Sequence, residues 1–164
     1  ELSPQCRIRF LLNLKGSRLL GSVAVLATIA IAASGIGVAQ DAISQRKAVM
    51  KSVGGSTKTG SQMVKGEVPY DAAKAADAMG TIATGWATFA KLFPKGSETG
   101  GETTAGPKVW ESFADFDTKG KKLANDAAAA QKAAANGADA FKAAFGEVTK
   151  NCKGCHETYR IQKK

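Results

Sequence analysis

The chain has 164 residues, a length typical of one domain, and its 23 Lys and Arg residues against 14 Asp and Glu give a formal charge of +9. No stripe of basic and aromatic residues accompanies this surplus, so nucleic acid binding is not indicated. A basic surface would instead favour docking to an acidic protein. No segment alternates apolar and polar residues with a period of two, which indicates an all-α fold.

The first 39 residues are predicted to be a signal peptide. Basic residues stand at its start, a mostly apolar run covers Leu19–Ala33, and Gly37 and Ala39 fit the −3 and −1 positions of a cleavage site. The alternative is a retained membrane anchor, but the run is short beside the roughly 20 apolar residues that a membrane span needs. We therefore expect an exported mature domain, residues 40–164, without stable membrane insertion after cleavage.

Two helices are predicted in the first half of this domain. Apolar residues at spacings of three and four predict the first helix over 41–65, with Asp41 as its N-cap. Glycines such as Gly54 and Gly55 weaken its middle, so either packing holds the segment or it bends there. Asp71 is the expected N-cap of the second helix, which Pro94 ends.

Two further helices are predicted after a Gly-, Ser- and Thr-rich crossover at residues 95–106. The third begins at Pro107, and Asn136-Gly137 ends it and turns the chain. With short first and third connections, the four helices predict an antiparallel up-down four-helix bundle. The fourth helix carries an apolar seam with spacings of three and four, formed by Ala138, Phe141, Phe145, Val148, Cys152, Cys155 and Tyr159.

The motif that indicates a function is Cys152-Lys153-Gly154-Cys155-His156, a C-x-x-C-H sequence typical of c-type haem attachment. Two thiols add to the two vinyl groups of one porphyrin, and the adjacent histidine reaches the iron. A structural zinc site needs four ligands, a thioredoxin-type pair would want a βαβ context, and a disulfide would not explain the histidine. We therefore predict one covalent haem c in the bundle core. Met79, Trp86, Trp110 and the phenylalanines are the residues expected to line it.

The mature chain resembles the class II cytochromes c, the family of cytochrome c′ and cytochrome c-556. Four features carry the resemblance: the haem motif near the C-terminus, Tyr159-Arg160 directly after it, Gln45-Arg46-Lys47 in the first helix, and the segment at 65–73 with the pattern K-G-x-x-P-Y-D-A-A. The resemblance implies that Cys152 and Cys155 form the thioethers and that His156 is the proximal iron ligand. It also implies that Arg46 reaches a haem propionate and that Arg160 lies beside the proximal imidazole.

Position 50 separates the subfamilies within this resemblance. High-spin cytochromes c′ have an apolar, non-ligating residue there, whereas the low-spin c-556 type has a methionine whose sulfur binds the iron. This chain has Met50, which favours the c-556 type and His/Met ligation, although a methionine can also simply fill space. Met63 and Met79 are weaker candidates, since Met63 lies more than three turns further along the first helix and Met79 is on the second helix, which the family does not use.

The predicted function is therefore periplasmic electron transfer by a haem that cycles between Fe(III) and Fe(II). Because no bond is made or broken, the protein would not be an enzyme. The alternative is a five-coordinate cytochrome c′ that binds NO or CO. The expected partners are redox proteins, and the resemblance leaves a homodimer open.

Overall fold

The computed structural model describes residues 33–161, with side chains from residue 37 onward. Its helices are α1 (Ala33–Val64), α2 (Ala72–Phe89), α3 (Lys108–Glu111), α4 (Phe113–Ala133) and α5 (Ala138–Tyr159). Single 3-10 turns extend α2 at Ala90–Leu92 and α4 at Ala134–Asn136. The four long helices form the predicted antiparallel bundle, and α3 is one additional turn before α4. The predicted signal peptide falls largely on residues 1–32, outside the described residues.

The caps of α2 and α5 agree with the sequence prediction, but that of α1 does not. Asp71 accepts a hydrogen bond from the backbone N–H of Lys74 (3.0 Å), as an N-cap should. Gly137 precedes α5 with φ +96°, a conformation that favours glycine. Asp41 was expected to cap the first helix, yet α1 already begins at Ala33, and the Asp41 carboxylate accepts from Gln45 inside the helix instead (2.7 Å).

The glycine-rich middle of α1 is part of one continuous helix. Gly54 and Gly55 are exposed, and the packing against other helices occurs further along, at the buried Gly60. At Gly60 an added Cβ would lie 2.6 Å from Cε2 of Phe145 on α5, so this glycine permits the close approach of an aromatic ring. Thr57 and Thr59 also donate their hydroxyl hydrogens to carbonyls one turn earlier.

The predicted third helix is divided in two. Ser112 has φ −132° and ψ 47°, outside the helical region, and it separates α3 from α4. The break allows α3 to take its own direction, with Val109 almost fully buried and the Trp110 indole N–H directed to the carbonyl of Pro94 (3.4 Å). Periodicity alone predicted one helix here, because apolar residues continue at spacings of three and four across the break.

The core is divided into two clusters along the bundle. One lies at the end where α1 stops and α5 starts and contains Met63, Met79, Phe141 and Phe145. The other is strongly aromatic and lies at the opposite end, formed by Trp86, Phe89, Leu92, Phe93, Val109, Phe116 and Tyr159. The haem motif of α5 reaches the aromatic cluster, since Cys155 and Met50 both pack against it. Within residues 33–161, no helix has the length and apolarity to cross a membrane.

Candidate functional site

A cavity of about 570 Å³ lies between α1 and α5, beside the aromatic cluster. These two helices are neighbours in the bundle, yet they touch much less than α1 and α2, α2 and α4, or α4 and α5. A volume of this size is within the usual range for small-molecule and cofactor sites. The gap between α1 and α5 is therefore the natural place for a large ligand.

All six residues predicted to form the site line this one cavity. Arg46 and Met50 come from α1, Cys152, Cys155 and His156 come from α5, and Arg160 follows the end of α5. The two groups are at least 102 positions apart in the sequence, from Met50 to Cys152, and only the antiparallel packing of the bundle brings them together. Met63 and Met79 do not line the cavity, because they belong to the other core cluster.

Part of the cavity wall is aromatic. Trp86, Phe89, Phe93 and Phe116 line it, and consecutive rings meet mostly at steep angles, with centroids 5.1 Å apart for Trp86–Phe116. Five residues that were expected to line the cavity do not: Met79, Trp110, Phe113, Phe141 and Phe145. Trp110 instead contacts Phe93, which does line the cavity, with ring centroids 5.6 Å apart.

Partial burial shifts the pKa values of all three titratable side chains of the haem motif that line the cavity. Cys152 and Cys155 are free and half-buried, and burial raises the pKa of both thiols. The pKa of His156 is lowered, first by partial burial and then by the positive charge of Arg160. The lower pKa favours the neutral imidazole, which is the form that binds a metal.

Arg46 is the most unusual side chain of the site. It is 5 % exposed, and its Nη2 donates to the backbone carbonyl of Ser97 (2.7 Å). Its Nε and Nη1 are buried and have no hydrogen-bond partner among the described residues. Buried polar groups normally have partners. The side chain therefore fits a ligand that brings an anionic group into this end of the cavity.

Two structural features of the site were not predicted from the sequence. The crossover contributes a wall, residues 102–105, which a short backbone bridge fixes to the end of α5: Ile161 N–H donates to Thr104 O (2.8 Å) and Gly106 N–H donates to Tyr159 O (2.7 Å). In addition, Tyr159 donates a short hydrogen bond to Asp115, which also accepts from Lys119. Gly106 was the available signal, because an added Cβ would lie 3.0 Å from Tyr159 O.

These observations fit haem c. Two free thiols and an imidazole line the α5 side, aromatic rings from α2 and α4 line another part, and a buried cation with unpartnered donors matches a propionate. The fold and the site together define a four-helix-bundle protein of the c-type cytochromes.

Comparison with known proteins gives the family. The family model described as Cytochrome C' matches residues 41–160. Cytochrome c′ from Rhodopseudomonas palustris is 42 % identical over 86 % of this chain and 97 % of its own length. Cytochrome c-556 from Agrobacterium fabrum is 38 % identical over 74 % of this chain and 82 % of its own length.

Solved structures agree with this result. A structure of cytochrome c′ from Rhodopseudomonas palustris has a TM-score of 0.70 and 42 % identity, covering 76 % of this chain and 98 % of that one. A nitric oxide complex of a cytochrome c prime variant from Alcaligenes xylosoxidans has a TM-score of 0.67 and 29 % identity, covering 76 % and 97 %. The chain belongs to the cytochrome c′ family, the class II cytochromes c, and carries one covalent haem c.

Proposed function

We propose that this class II cytochrome c is a periplasmic one-electron carrier with His156 and Met50 as the axial ligands of its haem iron. One observation carries the proposal: Met50 is the only methionine among the described residues that lines the cavity, and it does so from α1 while His156 does so from α5. Bound haem c supplies the Fe(III)/Fe(II) couple, and His/Met ligation raises its potential.

The residues of the chain have separate tasks in this proposal. Cys152 and Cys155 fix the haem to α5 through two thioethers, and His156 binds the iron from the same helix. Trp86, Phe89 and Phe116 exclude water from the haem, which keeps the charge of the iron poorly screened. Electron transfer then needs no bond to be made or broken in a substrate, so the protein is proposed not to be an enzyme.

Two charged side chains are proposed to adjust the potential. Arg46 holds a propionate through its unpartnered donors at the buried end of the cavity. Arg160 lies on the α5 side, where its charge disfavours protonation of His156. Redox proteins are the proposed partners, and a leader that ends before Gln40 is consistent with a family of bacterial periplasmic proteins.

The alternative function is NO or CO binding at a five-coordinate iron. It is supported by the relatives named cytochrome c′ and by the neighbour that was solved as a nitric oxide complex. In this case Met50 would only fill space over the haem. The two functions therefore differ in whether the Met50 sulfur binds the iron.

The substitution Met50→Leu tests the proposal. Leucine preserves size and burial at a cost below about 1.5 kcal/mol but has no sulfur. We expect the variant to stay folded, turn from low-spin to high-spin, drop in reduction potential and bind CO more readily. Met63→Leu is the matched control, because Met63 is buried in the other cluster and its loss should leave the spectrum unchanged. A Met50→Leu protein that remains low-spin would show that another group is the sixth ligand.

A further inference from the structure

The Arg46 guanidinium is enclosed by three separate segments of the chain. Its central carbon lies 4.8 Å from the centre of the Phe93 ring and 5.4 Å from that of the Trp110 ring. These rings contact each other edge to face, with centroids 5.6 Å apart. Ser97 accepts from Nη2 through its carbonyl. The end of α2, the crossover and α3 thus form a cage around one cation from α1.

The cage explains why this arginine is buried. Its neighbours Gln45 and Lys47 are exposed, so α1 presents a solvent-facing surface immediately beside it. A long, flexible and strongly polar side chain would extend into water unless its surroundings compensated for the lost hydration. The aromatic faces attract the cation, and the Ser97 carbonyl accepts one of its hydrogens. Nε and Nη1 remain for a ligand in the cavity.

The cage is itself fixed by a turn of the crossover. Pro94 O accepts from Ser97 N (3.1 Å) and from Ser97 Oγ (2.7 Å), and the Trp110 indole N–H points at the same carbonyl. Ser97 is 1 % exposed, so this turn is inside the molecule. Trp110 does not line the cavity, but its ring contacts Arg46 and Phe93, which do.

We propose that Trp110, together with Phe93, is a positioning residue that holds the Arg46 guanidinium against the haem, so that α3 and the crossover help to set the reduction potential. This inference rests on the proposed function, in which Arg46 meets a propionate. A cation held in a poorly screened site disfavours the more positive oxidised iron and raises the potential. Without the tryptophan wall the guanidinium can rotate into water, where its charge is screened.

The test compares reduction potentials at pH 7 of holoproteins that carry Trp110→Leu, Trp110→Phe, Arg46→Gln and the double change Trp110→Leu with Arg46→Gln. We expect Trp110→Leu to lower the potential in the same direction as Arg46→Gln. Trp110→Phe retains an aromatic face and should restore most of the wild-type value. The double variant should match Arg46→Gln alone, because no cation is left to position. Phe141→Leu, in the other cluster, should leave the potential unchanged.

Three outcomes would overturn the inference. These are fully additive shifts in the double variant, an unchanged potential in Trp110→Leu while Arg46→Gln lowers it, and a shift in Phe141→Leu as large as that in Trp110→Leu. If Arg46→Gln itself leaves the potential unchanged, the assignment of Arg46 in the proposed function fails instead. Should Trp110→Leu not retain haem, Trp110→Met preserves more volume without a ring and is judged by the same outcomes.

Discussion

We predict that Trp86 can keep its position in the wall of the haem cavity only if residue 120 on α4 is a glycine. A Cβ at this position would overlap three atoms of the Trp86 indole, so Gly120→Ala forces the ring to move. Gly146 on α5 is the matched control, because an added Cβ there meets nothing within 4 Å. The two substitutions are chemically identical and differ only in what the new methyl group contacts.

The magnitudes follow from three effects. Replacing a helical glycine by alanine stabilises by about 1 kcal/mol, and Gly146→Ala should gain up to this amount. Gly120→Ala gains the same but is overpacked, at a cost of about 1–3 kcal/mol. Moving the indole also breaks its hydrogen bond to Asp117 (3.2 Å), at about 0.5–1.5 kcal/mol. The net loss for Gly120→Ala is roughly 0.5–3.5 kcal/mol.

Thermal unfolding of the oxidised holoproteins, followed by circular dichroism, measures the difference. With a shift of roughly 3–6 °C per kcal/mol for a domain of this size, Gly120→Ala should melt at least about 5 °C below Gly146→Ala. Equal melting temperatures, or a more stable Gly120→Ala, would refute the argument that Trp86 packs against the Gly120 backbone.

Two further predictions concern α5. Tyr159→Phe removes the hydrogen bond to Asp115 and should destabilise the protein by about 1–3 kcal/mol in urea unfolding. Folding raises the pKa of Tyr159 to about 12. The stability that its hydrogen bond contributes is therefore complete below about pH 10, the usual tyrosine value, and is lost as the pH rises towards 12. The free energies of unfolding of the wild type and Tyr159→Phe should converge there, and a constant difference would contradict this. Cys152→Ala should form at most one thioether and fold poorly. The wild type should retain all of its haem in acid-acetone extraction, and release of that haem into the organic phase would contradict covalent attachment.

The sequence was sufficient to predict the four long helices and the position of the haem motif on them. The α5 seam was readable because its apolar residues and both cysteines follow one helical period, and the structure confirms that this face is directed inward, with Phe141, Phe145, Val148 and Tyr159 buried. The Asp71 and Gly137 helix boundaries were also predictable, because each depends on the chemistry of one residue next to a helix end.

The remaining features depend on contacts between residues far apart in the chain. The carbonyl that holds Arg46 is 51 positions away, so no local pattern could show that this arginine is buried between aromatic rings. The Ser112 break has no Gly or Pro beside it to mark it, and the buried Val109 just before it is not distinguished from other apolar residues by local sequence. Asp41 was wrongly expected to be a cap because good capping residues also occur inside helices. Here the Asp41 carboxylate lies within α1 and accepts a hydrogen bond from the Gln45 side chain.

The spin state of the oxidised wild-type holoprotein tests the central proposal most directly, by optical absorption and electron paramagnetic resonance at pH 7. If Met50 and His156 are both bound to the iron, the spectra will show a low-spin, six-coordinate Fe(III) with a methionine–iron charge-transfer band. A high-spin, five-coordinate Fe(III) would contradict His/Met ligation and would make NO or CO binding the better account of this cavity.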